Sequence, residues 1–142
     1  MIKVAQILST KDAKLITVDQ STSVLRALQT LSEHNIGALP VVQDKRLVGI
    51  FSERDYARKV VLLGKNSTET LVSEIMSERV FTVHPDSSVE ECMRLMSDKR
   101  IRHLPVLSNN ELMGILSIGD VVKTIIKEQM FQIEQLETYI KS

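Results

Sequence analysis

The sequence predicts an α/β fold: two tandem β-α-β-β-α repeats related by pseudo-twofold symmetry, followed by a long C-terminal helix. Three observations carry this expectation. From Ile16 to Val61 each residue lies on the residue 65 positions later without a gap, and about 14 of these 46 positions are identical, where chance would give roughly 3. Within each copy the apolar spacing changes from alternation to steps of three and four and back again. After the second copy the helical rhythm continues through Val122, Ile126, Met130, Ile133, Leu136 and Ile140.

Each repeat opens on a short β-branched strand, Leu15 to Asp19 in the first. Ser21, Thr22 and Ser23 then offer N-caps for a helix with Val24, Leu28 and Leu31 on one face; Val89, Cys92, Met93 and Met96 form the same face in the second copy. Leu39 to Val42 and Leu47 to Phe51 form a hairpin across Gln43-Asp44-Lys45-Arg46, and the second hairpin turns at Ser108-Asn109-Asn110-Glu111. A closing helix follows each hairpin, one over about 53–63 and one from about Gly119 onward. A smaller echo precedes each repeat: Val4 to Ser9 answers to Val72 to Ser77, displaced by 68 positions. The three-residue difference falls in Thr10 to Lys14, where a longer loop adds little closure entropy. The polar stretch Gly64 to Thr68 marks the boundary, giving repeat one over 1–66, repeat two over 67–127 and a helical extension over 128–142. The extension folds back on its own domain or pairs with a second chain; its long apolar stripe favours a homodimer.

Composition excludes several classes. Eighteen Lys+Arg balance eighteen Asp+Glu, so no net field draws the chain to nucleic acid or an anionic membrane. No apolar run approaches the roughly 20 residues of a membrane span, and no signal peptide opens the chain, so a soluble cytoplasmic protein is expected. The single cysteine, Cys92, excludes an internal disulfide framework and sits on an apolar face. His34 and His84 lack metal-ligand neighbours at useful spacing, so no metal is expected. Ser117, His103 and Asp120 include the residue types of a hydrolase triad, but no nucleophile elbow accompanies them, and an enzyme is not expected.

Three motifs occur in order: the Val-x-x-Ile-Met opener (Val72, Ile75, Met76, echoed by Val4, Ile7 and Leu8 in the first half), the Leu-Pro-Val strand (Leu39-Pro40-Val41 and Leu104-Pro105-Val106), and a Gly-x-x-Ser-x-x-Asp ending at Gly49 to Asp55 and at Gly114 to Asp120. This order resembles the cystathionine β-synthase (CBS) domain in its tandem form, the Bateman module. The segments at 52–59 and 100–106 are similar to small stand-alone bacterial members and to plant organellar ones. The resemblance implies a regulatory module that binds an adenosine-containing ligand (AMP, ADP, ATP, NAD(H) or S-adenosylmethionine) in the cleft between repeats and signals to a protein partner. AMP is the first choice and NAD(H) the second.

The residues supply matching chemistry. Ser52 and Ser117 end a strand where a helix begins, beside unpaired backbone N–H groups suited to phosphate. Asp55 and Asp120 follow three residues later, where a carboxylate can accept both hydrogens of a ribose diol. The same arrangement is also a helix cap that needs no ligand. Adenine would lie among apolar strand residues near Thr17 or Thr82. Arg100, Arg102 and His103 precede Leu104-Pro105 in the second copy, where the resemblance implies contact with ligand phosphates; Asn35, Gly37 and Ala38 occupy those places in the first. Two unequal sites are therefore expected. Arg54 and Arg58 are the first copy's own basic residues, and Gly119 stands where the first copy has Arg54. A competing reading is a dimerising adaptor that works without any ligand.

Overall fold

The computed structural model describes residues 2–11 and 14–141. It divides into two compact units: one made of Lys14–Phe81 and Asn109–Met113, the other of Met1–Ala13, Thr82–Ser108 and Gly114–Ser142. They are called below the first-repeat and second-repeat units.

In the first-repeat unit, β1 (Val18–Asp19) runs parallel to β2 (Ala38–Gln43), which pairs antiparallel with β3 (Arg46–Ser52). Asp44 and Lys45 both hold positive φ, so the hairpin turns on two left-handed residues that match the twist of the strands. Asn109 and Asn110 do the same between β4 (His103–Ser108) and β5 (Glu111–Ser117). The helix α2 (Val24–His34) starts where the Ser23 side chain accepts the Arg26 N–H, and ends at Asn35 in the left-handed conformation. Val24, Ala27 and Leu31 recur at three- and four-residue steps, and join Val18, Leu39, Val41, Phe51, Val60, Val72 and Ile75 in one core.

The second-repeat unit repeats this construction. The helix α5 (Val89–Lys99) is capped by Ser88 and closes at left-handed Arg100. Val83 bridges Val106 in parallel as Val18 does Val41, but as an isolated bridge. The strand expected over 15–19 is thus only two residues long, and its counterpart is a single pair. The backbone ladder closes only around the valines that are buried against the Leu-Pro-Val strand.

Two features depart from the sequence expectation. The first closing helix, expected as one piece, is a single α-helical turn, α3 (Glu53–Tyr56), that widens into π-helix over Ala57–Val61, with Leu62 N–H donating to the Ala57 carbonyl. Its counterpart α6 (Ile118–Lys141) is α-helical throughout, about 36 Å long. The second departure concerns the short openers, which change sides. The first opener, α1 (Val4–Thr10), is held by second-repeat backbone: Val4 N–H donates to Ser87 O and Ala5 N–H to Pro85 O, each at 2.9 Å. The opener of the second repeat, α4 (Val72–Ile75), is held by the first: Val72 N–H donates to Thr22 O at 2.8 Å and Ser73 N–H to Gln20 O at 3.0 Å. Sequence repeats and compact units are therefore different divisions of the chain.

The opener also explains the motif glycines. A Cβ at Gly49 would lie 2.6 Å from Met76 Sδ and 3.0 Å from the Ser77 carbonyl; at Gly114 it would lie 2.9 Å from a Leu8 methyl. Met76 and Leu8 are equivalent opener residues, each lying directly over a hairpin strand. Glycine is present because an apolar side chain occupies the space, not because φ requires it.

Candidate functional site

Each unit brings its serine and aspartate together at the start of the closing helix. In the first, Asp55 Oδ2 accepts from Ser52 N–H and from Ser52 Oγ, both at 3.0 Å, while Asp55 N–H donates back to Ser52 Oγ at 3.2 Å. In the second, Ser117 N–H donates to Asp120 Oδ2 at 2.8 Å and Asp120 N–H to Ser117 Oγ at 3.1 Å. Both are capping boxes, so the structural role foreseen for this spacing is real. Capping leaves part of each carboxylate for other work.

Each carboxylate also holds a lysine that the motif does not contain. Lys11 Nζ lies 2.7 Å from Asp120 Oδ2 and donates to the Ile115 carbonyl at 2.8 Å. Lys59 Nζ lies 3.4 Å from Asp55 Oδ1 and donates to the Ile75 carbonyl at 3.0 Å. The two lysines play one part from different places: Lys11 follows α1, whereas Lys59 lies one turn after Asp55 in the π-helical stretch. No sequence signal marks Lys11, which is 109 residues from its partner. Lys59 was visible in principle as an i,i+4 pair with Asp55.

The two carboxylates differ in what remains open. The Asp55 side chain is 11% exposed, and its second oxygen also receives the Ser77 hydroxyl at 3.4 Å. The Asp120 side chain is 25% exposed, and among the described residues its bonds from Lys11 and Ser117 fall on Oδ2. Burial would raise the Asp120 pKa, but hydrogen bonds from Lys11 and Ser117 outweigh it and hold the carboxyl below its ordinary value.

Two of the second-repeat candidates connect to the Asp120 turn, Arg102 through its backbone and His103 through its charge environment. The Arg102 carbonyl accepts the Ile118 N–H at 2.8 Å, fixing the segment before Leu104-Pro105 to the first turn of α6. Gly37 and Glu53 make the equivalent bond in the first unit, at 3.2 Å. Arg102 is exposed, and Leu104 and Pro105 are buried. His103 is partly buried, and its pKa is lowered first by that burial and then by Lys11 and Arg102, against the opposing pull of Asp120. Arg100 is exposed at its left-handed position. An alanine at Gly119 would meet nothing closer than Ser117 Oγ at 3.5 Å, so packing does not demand a glycine there.

The remaining candidates are more dispersed. Thr17 and Thr82 are exposed next to buried Val18 and Val83, and Arg54 and Arg58 are exposed on the first closing helix. An open cleft of about 580 Å³ in the first-repeat unit is lined by Leu28, Asn35, Ile36, Gly37, Glu53 and Tyr56 among others. Neither Ser52 nor Asp55 lines it, but Glu53 and Tyr56 of the same helical turn do. Cys92 is fully buried, and desolvation pushes its thiol pKa up to about 11, which leaves it unreactive. Among the described residues no group of three or more His, Cys, Asp or Glu side chains is placed to hold a metal ion, and no helix is long and apolar enough to cross a membrane.

Comparison with known proteins identifies the family and the fold. The CBS domain family model matches residues 4–62 and again 72–127. The mitochondrial CBS domain-containing protein CBSX3 of Arabidopsis thaliana is 40% identical over 124 residues, which cover 84% of this chain but only 60% of that protein. A protein with CBS domains from Burkholderia ambifaria superposes with a TM-score of 0.86 at 46% identity, covering 90% of this chain and 96% of that one. The CBS domain pair of protein MJ0100, solved with 5′-methylthioadenosine and S-adenosyl-L-methionine, superposes with a TM-score of 0.80 at 29% identity, covering 90% of this chain and 98% of that one. With its two matched segments, its duplicated Ser-x-x-Asp boxes and this fold, the chain belongs to the CBS-domain family as a tandem pair of CBS domains.

Proposed function

We propose that this CBS pair is a regulatory sensor that binds an adenine nucleotide, AMP in first place and NAD(H) in second, and passes the ligand state to a protein partner without catalysing a reaction. The observation that carries the reading is the second-repeat cluster: a hydroxyl and a partly open carboxylate at a helix start, with Arg102 and His103 on the segment bonded to that same turn. A ribose diol suits the carboxylate, and phosphate suits the arginine fork and the helix N-terminus. The MJ0100 pair, with two adenosine derivatives bound, supports this ligand class. Thr17 or Thr82 would border the adenine, and Arg100 would add a phosphate contact. No metal takes part in this scheme, and the setting is cytoplasmic. The first-repeat set of Ser52, Arg54 and Asp55 is the weaker site because Asp55 is buried and already bound by protein groups.

The same proposal includes a homodimer formed through α6. Ile126, Met130, Ile133, Leu136 and Ile140 are all at least half exposed along one helix, and a second copy of that helix would cover them.

A second reading, a dimerising adaptor without a ligand, draws on the same helix and on the capping boxes. Calorimetric titration of AMP and NADH separates the two. Binding by the wild type that falls roughly 10 to 150 fold in Asp120→Ala, with a smaller loss in Asp55→Ala, supports the sensor. Flat titrations of the folded wild type support the adaptor.

A further inference from the structure

The lysine on Asp120 carries an inference that rests on the sensor reading and deepens it. We propose that Lys11 is an internal counter-ion: it occupies the Asp120 carboxylate until a ligand's ribose displaces it, and the freed ammonium then meets the ligand's phosphate.

The geometry supplies each part. Lys11 Nζ is bound to Asp120 Oδ2 at 2.7 Å and to the Ile115 carbonyl at 2.8 Å, so among the described residues two of its three donor positions are used. Its backbone is fixed, because Lys11 N–H donates to Leu8 O at 3.2 Å as α1 ends, while the side chain is a flexible four-carbon stem. The pair is about a quarter exposed on both sides, within reach of a solute. The first repeat is different: Asp55 is buried, both its oxygens are bound, and Lys59 springs from the same helical stretch.

Charge then selects the ligand. A diol that takes the carboxylate leaves an ammonium without its partner beside the cationic Arg102 segment. A neutral nucleoside cannot compensate that charge, but a nucleotide brings its own anion. Lys11 would thus favour phosphorylated ligands over nucleosides. Its release would also remove a link between α1 and α6 inside the second-repeat unit, giving the bound state a structural signature.

Calorimetric titration of AMP and of adenosine into wild type, Lys11→Met, Lys11→Arg and Asp120→Asn tests this. Lys11→Met should bind adenosine at least about fivefold more tightly than wild type, while its preference for AMP over adenosine falls roughly tenfold; Lys11→Arg should restore most of that preference. Asp120→Asn should weaken both ligands. Unchanged affinities in folded Lys11→Met, or equal weakening of both ligands, would overturn the role of Lys11 while leaving the sensor intact. Failure of both ligands to bind wild type and Lys11→Met alike would remove the sensor reading and this inference with it. Lys11→Gln keeps a donor for the Ile115 carbonyl, and gives the same readout if the methionine variant does not fold.

Discussion

At the level of single residues, the two motif glycines make a graded test of packing. Alanine at Gly49 must displace Met76 and press on the Ser77 carbonyl, whereas alanine at Gly114 meets only the end of the Leu8 side chain. Gly49→Ala should therefore cost about 1 to 3 kcal/mol and Gly114→Ala clearly less, as read from urea midpoints. Equal costs would show that the opener contacts do not decide the matter. His103 gives a pH test. Its folded pKa lies below the ordinary 6.5, so as pH falls below that value the unfolded chain takes up the proton first and the fold loses stability. Asp120, also lowered, contributes stability that is complete above 3.8 and lost as pH falls further. Urea melts at pH 7.5 and 5.5 should show a loss in wild type that is smaller in His103→Asn; identical losses would assign the mild-acid effect to other groups. The serine, the aspartate and the arginines were legible in the sequence because duplication repeats or pointedly omits them. Lys11 was not, since what makes it relevant is a tertiary contact with no local pattern.

Among the elements, hairpins and helices followed from apolar spacing and turn chemistry, and the serine caps stand where the sequence puts them. The π-helical widening after Tyr56 was hidden, because one extra residue in a turn leaves apolar spacing nearly unchanged over so short a segment. Arg100 ends α5 in a conformation that favours glycine or asparagine, and its counterpart in α2 is Asn35. Arg100→Gly should leave stability unchanged or raise it by up to about 1 kcal/mol, while lowering AMP affinity if the side chain meets a phosphate. A stable variant with unaltered affinity would remove Arg100 from the ligand set. For α6, a double change of Ile133 and Leu136 to glutamate should convert the proposed dimer to monomer in scattering mass without loss of fold, as both side chains are more than half exposed. A wild-type monomer at micromolar concentration would dispose of helix pairing.

For the whole molecule, the crossing of the openers was the least legible feature. Each opener precedes its own repeat and reads as part of it, yet its backbone bonds lie in the other. A boundary read from the sequence at residue 66 therefore does not isolate a complete core. The core from Val18 to Ile75 lies wholly within 14–81. A fragment of residues 14–81 should melt more cooperatively by circular dichroism than one of residues 1–66, which lacks Val72 and Ile75 and carries an unused α1. Equal cooperativity in both would show that the opener is dispensable. The crossing also bears on how such a duplicated chain could arise. In a polypeptide with a single repeat, the place of α1 or α4 would be open to the same segment of another molecule, and filling it so would intertwine the two. Joining two halves in one gene would turn that exchange between strangers into a fixed internal arrangement, free of any dependence on concentration.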